Sequence, residues 1–331
     1  MTYDEYRKEL IARELVEEDI ITNLKLVEVF ENFLQKYKKS AKEATIKEFY
    51  YYIDFLEETE NLSYFNLLEI LRYLMFVKNE KLTSYLLEVI DGADLMHVLS
   101  NKIKEVLGEE KRNEVFTGID LPKIALINKD KPVITKKVMD RMDSLIEKKT
   151  RQEIMGSGLH KLQEDGLIRL RKKFLEEKNL DTFLESQRKG FLNRMEQLAR
   201  EKSMFFTQPV DKQVLEYLKN NPTTEYGVRE GDKLIISKIP YNTKLYLTED
   251  DKNLKKYYYC HCPWVREALK KDDIHISSTF CHCSAGWYKQ KWDVIFNQPV
   301  KVDMIDTILS GAMQCTFAVH IPEEFLDNLD E

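Results

Sequence analysis

Two short motifs, Cys260-His261-Cys262 and Cys281-His282-Cys283, followed by a distant Cys315, hold all five cysteines of the chain. Thiols in such density point to metal binding, to nucleophilic chemistry or to reduced structural cysteines. The spacing within each motif is informative. On a helix, residues i and i+2 point about 200° apart, so two such thiols could not share a metal. On an extended segment they lie on one face, about 6.5–7 Å apart along the chain. Tyr257-Tyr258-Tyr259 and Ser277-Ser278-Thr279-Phe280 are rich in strand formers, and Cys262 precedes Pro263, which disfavours helical backbone. Two extended Cys-x-Cys segments side by side would converge Cys260, Cys262, Cys281 and Cys283. That is the donor set of a structural zinc site, with an iron–sulfur cluster the other occupant it suits.

The second motif has a further property. A helix is expected from Ser284 to Phe296, which places Cys281 and Cys283 at its N-terminal end, where the partial positive charge favours thiolate. That helps a metal ligand and equally activates a nucleophile, so Cys281, Cys283 and a neighbouring base, His282, are also candidate catalytic residues. On an extended chain His261 and His282 face away from the sulfurs. Cys315 alternates with Met313, Phe317 and Val319 on the apolar face of a strand and reads as a small core residue. Tyr259, Trp264, Trp287 and His261 are candidate walls of a small-ligand pocket. Tyr288, at helical spacing, reads as core, and His160, after Gly156-Ser157-Gly158, as a solvated loop residue.

These residues must be positioned by a framework whose texture changes along the chain. An apolar stripe at Leu24, Val27, Phe30 and Leu34 begins a series of short helices. Thr45 with Glu48 forms a capping box, Ser63 caps the next helix, and Gly92 ends a later one. This predicts a bundle over 1–115. Pro122 and Pro132 mark a linker, and helices resume to about 220, with Asp181 and Asp211 as caps. Beyond Asn221-Pro222, strands are expected at 228–229, 234–237, 300–304 and 313–321, around a short helix after Pro263 and the Ser284 helix. The fold class is α+β: an all-helical N-terminal bundle, a linker and helical region over 116–220, and a cysteine-containing α+β domain over 221–331 with a mainly antiparallel sheet.

The run from Phe280 to Ile321 carries a family resemblance. Cys-His-Cys-Ser-Ala-Gly-Trp, an aromatic helix, a Val-rich strand, Ile308-Leu309-Ser310-Gly311 and Cys315-Thr316-Phe317 follow in order. This resembles the C-terminal half of the 4-vinyl reductase domain family and the related L-2-amino-thiazoline-4-carboxylic acid hydrolase-like proteins. The resemblance implies a small α/β domain that binds small molecules, in some members binds metal through cysteines, or hydrolyses a cyclic thiazoline. The helical part resembles accessory regions of uncharacterised proteins from anaerobic bacteria. From Leu24 to Phe76 it also resembles the core-binding domain of tyrosine recombinases, but no His-x-x-Arg follows, so the DNA reading is set aside.

Composition sets the remaining bounds. The formal net charge of −6 argues against a general nucleic-acid partner. No apolar run reaches the ~18 residues of a membrane span, and the acidic start Met1-Thr2-Tyr3-Asp4-Glu5 does not read as a signal peptide. A cytoplasmic protein with reduced thiols is expected. Its expected partner is a small molecule, and self-association is left open. No glycine-rich phosphate loop is present.

Overall fold

A computed structural model describes residues 3–326 except 123, 125, 127, 128, 161, 163, 207 and 272. The chain folds as two compact units, one of residues 1–93 and 122–127, the other of 94–121 and 128–331.

The first unit is all-helical: α1 (Tyr3–Ala12), α2 (Glu17–Gln35), α3 (Ile46–Glu58), α4 (Tyr64–Phe76) and α5 (Glu80–Ile90). Its helix starts follow local chemistry. Thr45 and Glu48 close the expected capping box, and the Ser63 side chain accepts from the Asn66 N–H. Asn79 caps α5, while its amide also donates to the Ala41 and Ala44 carbonyls. Gly92, at φ 58°, follows α5 in the left-handed conformation expected at a helix end. The apolar stripes meet in one core containing Val27, Phe30, Phe49, Tyr52, Leu67 and Leu86.

The second unit begins with α6 (Leu95–Phe116), α7 (Lys131–Leu145), α8 (Lys148–Met155), α9 (Glu164–Glu176) and α10 (Leu180–Arg200). A two-residue ribbon, β1 (Met204–Phe205) and β2 (Gln208–Pro209), leads to α11 (Lys212–Asn220). Asp211 caps α11 as expected, but α10 is capped by Asn179, one residue before the helix. Asp181 instead pairs with Arg229 at 3.2 Å.

The α+β architecture is completed by an antiparallel sheet in the order β3 (Val228–Glu230), β4 (Lys233–Ser237), β6 (Thr316–His320), β5 (Val302–Asp306). Ile236 pairs with Phe317 and Ser237 with Thr316. Helices α12 (Thr243–Thr248) and α13 (Lys252–Tyr259) and two 3-10 turns, Arg266–Lys270 and Ser278–Cys281, lie between β4 and α14 (His282–Phe296). The short helix expected after Pro263 is present as the 3-10 helix Arg266–Lys270. Helix α14 packs on the sheet, with the Tyr288 ring 5.0 Å from that of Phe317. Its other sides meet Phe174 and Phe183. Arg171 donates to the Val294 and Ile295 carbonyls at its C-terminal end. No helix among the described residues is long and apolar enough to cross a membrane.

Candidate functional site

Neither cysteine pair lies on a strand. Tyr257-Tyr258-Tyr259 forms the last turn of α13, and Cys260 is its C-cap with extended backbone (φ −71°, ψ 129°). The Lys-rich sequence ahead of the tyrosines, capped by Asp251, extends the helix through residues whose own preference is for strands. The second pair departs further from expectation. Cys281 closes a 3-10 turn at the N-cap of α14, and Cys283 lies in the first turn of that helix. Helical geometry points these two sulfurs apart, so the two motifs do not form matching extended arms.

Three separate segments nevertheless bring the thiols into one region. Cys262 lies within electrostatic reach of Cys260, Cys281 and Cys283. Cys281 in turn is within reach of Cys260 and Cys315. Cys260, Cys283 and Cys315 are buried and the other two half-buried. Burial, and then the neighbouring thiols, push the Cys260 thiol up to about 11 and raise Cys262 and Cys281 further. Burial likewise raises Cys315.

Against that desolvation stand hydrogen bonds aimed at sulfur. The Cys262 N–H donates to the Cys260 sulfur and the Trp264 N–H to the Cys262 sulfur. The 3-10 turn Ile308–Ser310 supplies the others. Its cap Thr307 accepts from the Ser310 N–H, which leaves the next two amides turned toward the thiols. The Ile308 N–H donates to Cys315, while the Leu309 N–H and the Thr307 hydroxyl donate to Cys281. Four sulfurs thus receive donors that favour their ionised form. Among the described residues, no three His, Cys, Asp or Glu side chains stand already disposed as a metal-ligand set.

The other sequence-selected residues are dispersed around this region. The His261 Nε2 meets the Ile239 carbonyl at 2.6 Å. Burial lowers its pKa to about 3, so the ring is neutral. Burial also lowers His282, with Lys148 adding to the effect. Tyr259 is fully buried and donates to the Lys238 carbonyl at 2.7 Å. Trp264 is buried too, and its carbonyl accepts from the Thr135 hydroxyl. Trp287 is 40% exposed, edge-on to His160. Tyr288 is core. None of the four proposed pocket walls lines the nearby cleft of about 160 Å³, formed by Lys256, His275, Ile276, Ile308, Leu309 and Gly311 among others.

Two participants were not found from the sequence. Cys315 is buried, as its apolar alternation predicts, and what the sequence does not announce is that its sulfur takes the Ile308 amide. Lys238 had no motif to mark it. It lies within electrostatic reach of Cys260 and Cys315 and donates to the Ser284 hydroxyl at 2.9 Å. The amide donors of the Ile308–Ser310 turn are a three-dimensional feature that no spacing marks.

Residues 236–325, which contain all five cysteines, match the model of a family of unknown function, DUF6144. No curated protein and no solved structure matches the chain.

Proposed function

We propose that the C-terminal domain binds a soft metal ion, zinc, through thiolates of Cys260, Cys262, Cys281 and Cys283, in a reducing cytoplasmic setting. One observation carries the reading: Cys262 sits within charge reach of the other three, and sulfurs of this cluster receive backbone N–H donors. Apolar surroundings alone would hold neutral thiols without such donors. A divalent ion supplies the positive charge that replaces the protons, since ligating cysteines bind deprotonated. Loading requires side-chain rotation at Cys281 and Cys283, whose helical positions diverge. In this reading the metal ties the end of α13 to the start of α14, and the adjoining cleft takes a small ligand.

A second reading rests on the position of Cys281 at the N-cap of α14, where a thiolate is favoured. There Cys281 or Cys283 is the nucleophile of a hydrolase resembling the thiazoline hydrolases, with His282 as base. Burial of the thiols favours the metal instead.

The test is elemental analysis and an absorption spectrum on full-length protein purified without oxygen. About one zinc per chain is expected, lost in Cys281→Ser and kept in Cys315→Ser. Iron with visible charge-transfer bands replaces zinc by an iron–sulfur cluster. No metal after reconstitution, with one thiol alkylated far faster than the rest, overturns the metal reading and favours the nucleophile.

A further inference from the structure

Three charged side chains of the second unit, none of them a proposed metal ligand, form a group centred on Glu225. Glu225 lies between α11 and β3, Lys238 just beyond β4, and Lys291 in the middle of α14. All three are half-buried. Glu225 lies within electrostatic reach of both lysines. Among the described residues, neither lysine forms an ion pair, and the Glu225 carboxylate accepts no hydrogen bond.

Each group is underused. The Lys238 ammonium donates to Ser284 Oγ at 2.9 Å. That of Lys291 reaches the Glu225 carbonyl at 3.5 Å and stands 4.1 Å over the Tyr226 ring and 5.9 Å over that of Trp292. An ammonium carries three donors, so both lysines keep donors to spare.

The backbone holds Glu225 in place at a cost. Its φ of 71° lies in the left-handed region, which non-glycine residues seldom occupy. The Glu225 N–H donates to the Ser237 carbonyl, and the Ser237 N–H to that of Thr223. Gly227 then closes the loop against β4, where an added Cβ would come 2.8 Å from the Ile235 carbonyl oxygen. Strained residues held this firmly recur at ligand sites. Burial raises the Glu225 carboxyl against the pull of the lysines and lowers Lys291 to about 8, as expected of charges that await a partner.

We propose that Glu225, Lys238 and Lys291 form a binding site for a small carboxylate carrying its own hydrogen-bond donor, of the amino-acid or hydroxy-acid kind. The carboxylate bridges the two ammoniums, and the ligand's ammonium or hydroxyl group meets the Glu225 carboxylate. The Tyr226 ring, 4.1 Å beneath the Lys291 ammonium, forms one wall. The site uses none of the cysteines, although Lys238 also lies within electrostatic reach of Cys260 and Cys315.

The experiment is calorimetric titration of the full chain with glycine, glycolate and acetate. Glycine and glycolate are expected to bind with dissociation constants on the order of millimolar, about tenfold more tightly than acetate, which lacks the donor. Lys291→Met should weaken all three ligands by about tenfold or more. Glu225→Gln should weaken glycine and spare acetate. Circular dichroism and unliganded melting of each variant separate lost binding from lost folding; a variant that fails to fold is replaced by Lys238→Met, for which the same loss is expected. Absence of saturable binding by all three ligands in the wild type overturns the proposal. So does unchanged affinity in a folded lysine variant.

Discussion

Gly286 offers a sharp test of how the second unit is held together. It lies near the start of α14, three residues after Cys283. A Cβ built there would stand 2.8 Å from the Gly156 carbonyl oxygen and 3.0 Å from the Gly158 nitrogen. Ordinary contact begins at 3.4 Å, so Gly286→Ala forces the helix and the turn apart by about 0.6 Å (3.4 − 2.8). The obstacle is backbone, and it is pinned. The Gly156 N–H donates to the Gln152 carbonyl at 2.8 Å, the Ser157 hydroxyl to Ile154 at 2.7 Å, and Gln290 Nε2 to the His160 carbonyl at 2.8 Å. Overpacking of this kind costs about 1–3 kcal/mol, and the helix propensity gained from alanine offsets at most about 1 kcal/mol. Because the obstacle is pinned backbone, the upper half of the overpacking range applies, about 2–3 kcal/mol before the offset. The net loss of about 1–2 kcal/mol corresponds to roughly 2–8 °C for a unit of this size. All three tryptophans, Trp264, Trp287 and Trp292, lie in the second unit, so fluorescence-detected melting reads this unit without contribution from the other. A Gly286→Ala protein whose fluorescence midpoint equals or exceeds the wild type would refute the close-packing argument.

Gly190 is the matched control: it lies inside α10 with nothing within 4 Å of an added Cβ, so Gly190→Ala should stabilise the second unit by about 0.4–1 kcal/mol in the same melt. In the first unit, Asn79→Ala removes an N-cap and leaves the Ala41 and Ala44 carbonyls without their 2.8 Å donor. A loss of about 2–4 kcal/mol is expected by denaturant titration followed by circular dichroism, and a loss under about 0.5 kcal/mol would contradict it. Glu48 gives a pH signature: burial raises its carboxyl, but the Lys39 ammonium and the Thr45 donors outweigh burial and hold it at about 2. Because the folded value lies below the ordinary one, this stabilisation is complete above about pH 4.5 and is lost as pH falls toward 2. Glu48→Gln should therefore destabilise the wild-type fold at pH 7 and flatten its acid denaturation across that window. An unchanged acid limb would show that the ion pair contributes nothing.

What the sequence made legible follows from how local each signal is. The Thr45–Glu48 box, the Ser63 cap and the β3–β4 hairpin depend on residues a few positions apart, and they are found as expected. The cap of α10 was misplaced because Asn179 and Asp181 are both good caps, and Arg229, distant in sequence, draws Asp181 into an ion pair. Cys260 keeps the expected extended backbone, but the extended reading fails for the helical Cys281–Cys283 motif and for the run ahead of Cys260, for a related reason. Strand propensity in Tyr257-Tyr258-Tyr259 is overridden by the helix that Asp251 starts, and α14 begins two residues earlier than Ser284. The electrostatic reach between thiols from separate segments is produced by tertiary contacts. Those contacts also recruit Cys315 and the Ile308–Leu309 amides, which no spacing rule announces.

Metal removal follows from the same arrangement. The four proposed ligands come from the end of α13 and the start of α14, separated in sequence by the loop that carries Trp264. A metal joining them closes that loop and binds only the folded form, so its binding free energy adds to stability. With free metal at about a thousand times its dissociation constant the contribution is about 4 kcal/mol, worth roughly 8–16 °C in the fluorescence midpoint. A strong chelator added to metal-containing protein should lower that midpoint by this amount. The circular-dichroism transition of the first unit, which contains no cysteine, should stay where it was. If the chelator strips the metal and the tryptophan transition does not move, the ion is not bound by segments that folding brings together. The cysteine amide donors would then serve neutral thiols, and the reason for four of them would have to be sought in the chemistry of a free sulfur.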